Sequence, residues 1–167
     1  MRSKAQATEA LAGWPCDQDG MVTSIRGAAS GDTPRLVALD TVAAGGDGER
    51  RASIECWIAD GSMRVAVAAD EIVGYCVTER AFFGHWFVVM LMVAEGARDQ
   101  GIGAELLLDA QRQRNAAKLF TSTNLSNQPM QRLLARLGWH SVGIVYGLDE
   151  GDPELFYLAP KATTGLS

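Results

Sequence analysis

The stretch from Trp86 to Ala117 constrains the fold more than any other part of the chain. Trp86 to Val93 is an apolar run, the signature of a buried strand. A short polar turn follows, and Arg98, Gly101 and Gly103 then lead into a helix-forming run from Ala104 to Ala117. Strand, glycine-bearing loop and helix start make an anion site. The first amides of a helix have no intrahelical acceptor, and the helix dipole puts partial positive charge on them. Glycines at Gly101 and Gly103 let the backbone approach a ligand closely. The expectation is a phosphorylated ligand held at this turn. A dinucleotide fingerprint fails because the third glycine is missing, and a P-loop fails because no Gly-Lys-Ser/Thr follows.

The flanking elements place this unit in an α/β context. Met21 to Arg26 alternates like a strand. Asp32 or Thr33 is positioned to cap a helix that has Pro34 in its first turn and runs through Leu36, Val37, Leu39 and Val42. Gly45 to Gly48 breaks the chain, and Glu49 to Ala59 reads as a second helix with Ile54, Trp57 and Ile58 on one face. Met63 to Ala69 and Ile72 to Thr78 read as a hairpin turning at Asp70-Glu71, and Phe82 to His85 as a second turn. Lys118 to Thr123 is a further strand, and Asn127 to Leu137 a helix ended by Gly138. Trp139 to Tyr146 and Leu155 to Leu158 close the pattern around an acidic turn, Asp149 to Glu154. We expect a polar tail or short extra helix over 1–20, one domain over 21–160 and a C-terminal tail over 161–167, in a mixed sheet.

Composition narrows the partners. A net charge of −5 argues against general nucleic-acid binding and fits a cationic substrate better. Cys16, Cys56 and Cys76 form neither a disulfide framework nor a zinc spacing, so a reducing, cytoplasmic setting and no metal are expected. The N-terminus has no apolar signal region and no run is long enough for a membrane span.

Two motifs in sequence order carry a resemblance. Leu91-Met-Val93 is followed by Arg98-Asp-Gln-Gly101-Ile-Gly103, and Asn127 is followed by Leu133-Leu134 and Leu137-Gly138-Trp139. In these residues the chain resembles the GNAT superfamily of N-acetyltransferases, over roughly 24–160. The resemblance implies a mixed, mostly antiparallel central sheet of about seven strands, flanked by about four helices and splayed at its middle strands. It implies acetyl-CoA as co-substrate, its pyrophosphate on the amides of Arg98 to Ala104, with Asp99 and Gln100 in the loop. The pantetheine arm would pair with Leu91 to Val93, and Asn127 would hydrogen-bond its end. The implied reaction is direct attack of a primary amine, on a small molecule or a peptide, with the Val93 amide facing the developing oxyanion. Dimers are common in the family.

Two positions depart from the family pattern. Leu134 stands where many members place a tyrosine as acid for the leaving thiolate, and Glu95 stands where a proline is common. Tyr146 and Tyr157 are the remaining late tyrosines. The missing acid motivates an alternative, a non-catalytic acyl-CoA sensor or interaction module. Glu79 and Glu95 are the candidate bases, against the plainer reading of solvated strand-end carboxylates. Asp149, Glu150 and Asp152 are candidate contacts for a cationic substrate, against the plainer reading of a charged surface turn. His85, in a tight turn, and the Phe82, Phe83 and Trp86 cluster read first as structural.

Overall fold

A computed structural model describes residues 24–114 and 117–161. The expected N-terminal tail, Met21 to Thr23 of the first strand, Asn115 and Ala116 of the long helix and residues 162–167 lie outside the described residues.

Seven strands form one sheet in the order β1-β2-β3-β4-β5-β7-β6. They are β1 (Ser24–Gly27), β2 (Met63–Ala68), β3 (Glu71–Phe82), β4 (His85–Val93), β5 (Leu119–Asn124), β6 (His140–Val145) and β7 (Glu154–Leu158). Every neighbouring pair is antiparallel except β4 and β5. The helices are α1 (Thr33–Leu39), α2 (Thr41–Ala44), α3 (Gly48–Ala59), α4 (Ile102–Arg114) and α5 (Gln128–Arg136). The expected fold class is borne out, with five helices in place of about four.

The extra helix comes from Asp40. A single helix was expected through Val42, but Asp40 takes an extended conformation and its carboxylate accepts the amides of Val42 and Ala43. It thereby caps a new helix where the old one would have continued. Tyr75 Oη donates to the same carboxylate at 2.5 Å, and Asp40 is fully buried. Strand β3 also runs further than its apolar stretch, to Phe82, because Glu79 and Phe82 still pair with β4.

The sheet is covered on both faces, unevenly. Leu36 of α1, Ala43 of α2 and Ile54 of α3 pack on Met63, Val65, Tyr75 and Val77. That cluster contains no residue of β5, β6 or β7. On the opposite face Ile102, Leu106, Leu107 and Ala110 of α4 and Leu134 of α5 pack on Cys76, Val88, Leu119 and Tyr157. Both β2–β3 and β3–β4 turn through two residues of positive φ, Ala69 and Asp70 in one, Phe83 (49°) and Gly84 (77°) in the other. Such turns match the twist of the flanking strands and favour glycine or asparagine. A phenylalanine held there costs about 1 kcal/mol.

The feature that positions the site is the parting of β4 from β5. Only Trp86, Phe87 and Val88 pair with Leu119, Phe120 and Thr121. The β3–β4 register slips between Met90 and Val88, leaving Val89 as an extra residue. Beyond this bulge β4 pairs with β3 alone, and the sheet opens along Met90 to Val93.

Candidate active site

The opened edge of β4 presents unpaired backbone. Ala94 N donates to Val73 O at 2.8 Å, so by the alternation of an antiparallel ladder Met92 also faces β3, while Leu91 and Val93 turn their amides and carbonyls to the open side. Arg98 Nε donates to Val93 O at 3.3 Å, which agrees with that orientation. An extended amide-bearing ligand has a strand edge to pair with here.

The loop beyond β4 aims the start of α4 at this opening. A single 3-10 turn, Glu95–Ala97, buries Ala97, and Gln100 Nε2 ties back to Gly96 O at 2.9 Å. Asp99 (φ 61°) and Gly101 (φ 82°) take the left-handed conformation that brings the chain sharply into α4. Gly101 O accepts the Glu105 amide at 3.0 Å. The amides of Ile102, Gly103 and Ala104 make no hydrogen bond of ordinary geometry to any described residue. A Cβ on Gly103 would lie 3.3 Å from Leu133 Cδ2, 3.8 Å from Val93 Cγ2 and 3.9 Å from Leu91 Cδ2. The glycine therefore stands where α4, α5 and the open strand edge pack closely, and a larger residue would push them apart.

Asn127 stands at the start of α5. Its Oδ1 accepts the Met130 amide at 3.2 Å, so it is the helix N-cap. Capping uses the carbonyl half of the carboxamide and leaves the Nδ2 donor available. The acidic turn between β6 and β7 holds the loop in front of it. Asp149 Oδ2 accepts from Asn124 Nδ2 at 2.7 Å, and Asp152 accepts from the Ser126 amide at 3.0 Å and from Ser126 Oγ at 2.5 Å. Leu125 N donates to Pro153 O at 2.8 Å. Glu150 is exposed. Two of the three candidate substrate carboxylates are thus acceptors for the β5–α5 turn.

The candidate bases sit differently. Glu79 pairs with Phe87 across β3 and β4, just below the bulge, and Trp57 Nε1 donates to its Oε1 at 2.6 Å. Glu95 is exposed in the 3-10 turn beyond Val93. Leu134 is fully buried in the core, and Tyr157 is buried on the α4–α5 face opposite Thr121. Tyr146 is exposed beyond the end of β6. His85 is exposed at the head of β4, its ring 5.8 Å from that of Phe120.

Arg50, Trp57 and Asp40 lie together on this side of the sheet, a grouping for which the sequence holds little signal. Arg50 of α3 lies against Met90 Sδ at 3.8 Å, over the Trp57 ring at 6.0 Å and 3.9 Å from Asp40. Burial raises the pKa of Asp40, but Tyr75 Oη–H, the Ala43 amide, Arg50 and the Val42 amide together hold it below the usual carboxylate range. Burial and the same hydrogen bond push the Tyr75 phenol well above its ordinary value. Trp57, Arg50 and Asp40 come together only through packing of α1, α2 and α3 on β3. The capping sequence Asp40-Thr-Val-Ala was the one local clue.

No helix among the described residues is long and apolar enough to cross a membrane. Residues 34–139 match the family model described as the acetyltransferase (GNAT) family. No curated protein sequence matches. Among solved structures, a GNAT-family acetyltransferase from Bacillus cereus is 29% identical, with a TM-score of 0.74 over 83% of this chain and 97% of that one. A ribosomal-protein-alanine N-acetyltransferase from Brucella melitensis is 25% identical, with a TM-score of 0.63 over 81% and 98%. A structure from Bacillus anthracis, assigned as a streptothricin acetyltransferase and in complex with acetyl coenzyme A, shares the fold at 16% identity and a TM-score of 0.53, over 58% of this chain and 60% of that one.

Proposed function

The chain belongs to the GNAT acetyltransferase family, and from that membership we propose that it moves an acetyl group from acetyl-CoA to a primary amine by direct attack of the amine on the thioester. One observation carries the reading. The edge of β4 at Leu91 and Val93, where β5 has parted from it, meets a helix start whose Ile102, Gly103 and Ala104 amides bond no described residue, with Gly103 letting the two pack closely.

Each residue then has a task. The amides of the loop and first turn, Arg98 to Ala104 with Asp99, Gln100 and Gly101 among them, would cradle the pyrophosphate. Leu91 and Val93 would pair with the pantetheine amides, and Asn127 Nδ2 would donate to the pantetheine end. The Val93 amide would receive the thioester carbonyl oxygen as it gains charge. The thioester supplies an activated acetyl group. A nitrogen–carbon bond forms, the carbon–sulfur bond breaks, and the electron pair leaves on sulfur.

The amine must shed a proton. Glu79 has its Oε1 oriented by Trp57 beside the bulge, but it stands five residues along β3 from Gly74, the partner of Val93, so it would take the proton through ordered water, whereas Glu95 is exposed just beyond Val93. Leu134 has no proton to give, so the thiolate leaves as such or takes its proton from water; a thiol pKa near about 8.5 permits either. Asp149, Glu150 and Asp152 would act on the acceptor through their field at the rim, since two of them are already bonded to the β5–α5 turn.

The test is release of free thiol from acetyl-CoA across a panel of primary amines, with mass detection of the acetylated product. The expected outcome is amine-dependent thiol release. Saturable acetyl-CoA binding with no turnover on any amine would instead favour the sensor reading.

A further inference from the structure

We propose that the acceptor is a small amine carried close to an aromatic ring, seated on a phenylalanine wall beside Glu79; this rests on the acetyltransferase reading above. Residues paired across neighbouring strands point to the same face of a sheet. Glu79 pairs with Phe87 and Phe87 with Phe120, while Ser122 pairs with Phe156. Trp57 of α3 bonds Glu79, so this is the face that α1 to α3 cover over β2 to β4 and leave bare over β5 and β7.

On the bare part the rings form one surface. Phe82 stands 5.3 Å from Phe87, 5.0 Å from Phe120 and 5.4 Å from Phe156, centroid to centroid. All four are only partly buried. Phe83 extends the surface, edge-on to Phe82 at 5.1 Å. It is 90% exposed and holds a φ of 49°. A phenylalanine there gains nothing from burial and strains its backbone, which asks for a contact outside the fold.

The wall is also charged in one place. No cation among the described residues forms an ion pair with Glu79, and the Arg50 guanidinium on α3 lies 3.9 Å from the Asp40 carboxylate instead. A carboxylate without a cationic partner among the described residues, at the edge of an aromatic surface and at the closed end of the β4–β5 opening, matches an ammonium joined to an aromatic ring. Extended polyamines offer the rings no partner and match this wall poorly. Ring-on-ring contact favours offset or edge-on packing, which the mixed tilts of these rings already offer.

The experiment compares 2-phenylethylamine, n-butylamine and spermidine, in the unmodified protein and in Phe83→Ala and Phe156→Ala. Amine binding is measured by calorimetry with and without acetyl-CoA, turnover by thiol release, and oligomeric state by light scattering. We expect kcat/KM for 2-phenylethylamine at least tenfold above that for n-butylamine. Each alanine variant should lower the aromatic value about fivefold or more while leaving n-butylamine turnover and the acetyl-CoA Kd unchanged. Equal or higher kcat/KM for n-butylamine or spermidine overturns the aromatic acceptor and leaves the acetyltransferase reading standing. A dimer that Phe83→Ala dissociates, with no change in amine preference, assigns the wall to a second copy and also overturns it. If acetyl-CoA fails to bind, the acetyltransferase reading fails by itself, and the amine-binding arm still decides the wall.

Discussion

At the scale of the residue, Asn127 carries two tasks that can be separated. Its Oδ1 caps α5, and its Nδ2 is the donor offered to the ligand. Asn127→Ser keeps a good N-cap and replaces the reaching Nδ2 donor with a shorter hydroxyl. Stability should change by less than about 0.5 kcal/mol, while the acetyl-CoA Kd rises about fivefold, the worth of one hydrogen bond. Urea melts and calorimetry check the two halves. A parallel loss of both would mean that the residue is a cap only. At this scale the sequence was readable wherever chemistry and neighbours in the chain suffice: Gly138 ends α5 with a positive φ, as its position after the helix predicts. Glu79 was recognisable as a carboxylate near the site, but its partner Trp57 lies 22 residues away and was not.

At the scale of the element, the acidic β6–β7 turn is a clasp on the β5–α5 turn. Asp152 holds both the amide and the hydroxyl of Ser126, directly before Asn127. Asp152→Ala should raise the acetyl-CoA Kd about threefold to tenfold and speed amide exchange over residues 124–127, since charge-assisted bonds of this kind contribute about 1.5 to 3 kcal/mol. Exchange mass spectrometry checks it. Unchanged exchange with weakened amine binding would return Asp152 to the substrate rim. The elements themselves were legible from period and punctuation. The clasp was not, because β7 inserts between β5 and β6 and so brings the turn after β6 to the turn after β5. The split of α1 from α2 escaped for a similar reason. Asp40 acts as a cap within a periodic stretch, and the Tyr75 hydroxyl that satisfies its other oxygen belongs to β3.

At the scale of the whole molecule, the buried Asp40 ties the helical layer to the sheet and sets an acid limit on stability. Its folded pKa lies below the unfolded one, so its contribution is present above about pH 4 and is lost as pH falls through the folded value. Asp32 adds in the same direction: its hydrogen bond to Arg26 and the Ala29 amide outweigh burial and lower its pKa. Asp40→Asn should cost about 2 to 3 kcal/mol at pH 7 and flatten the fall in stability between pH 5 and the acid transition. Urea titrations at a series of pH values check it; an unaltered slope would place the acid sensitivity elsewhere.

The central claim is that the opened edge of β4 and the start of α4 together hold acetyl-CoA. Its most direct test is calorimetric titration of acetyl-CoA into the protein at two temperatures, beside Gly103→Trp. That substitution forces Leu91, Val93 and Leu133 apart at the junction of α4 with the strand edge, so thermal melting must first show that the variant is folded. The account predicts saturable binding of one acetyl-CoA per chain and its loss in the folded variant. A well-folded protein that gives no binding at either temperature, or a Gly103→Trp variant that binds as tightly as the original, would contradict it.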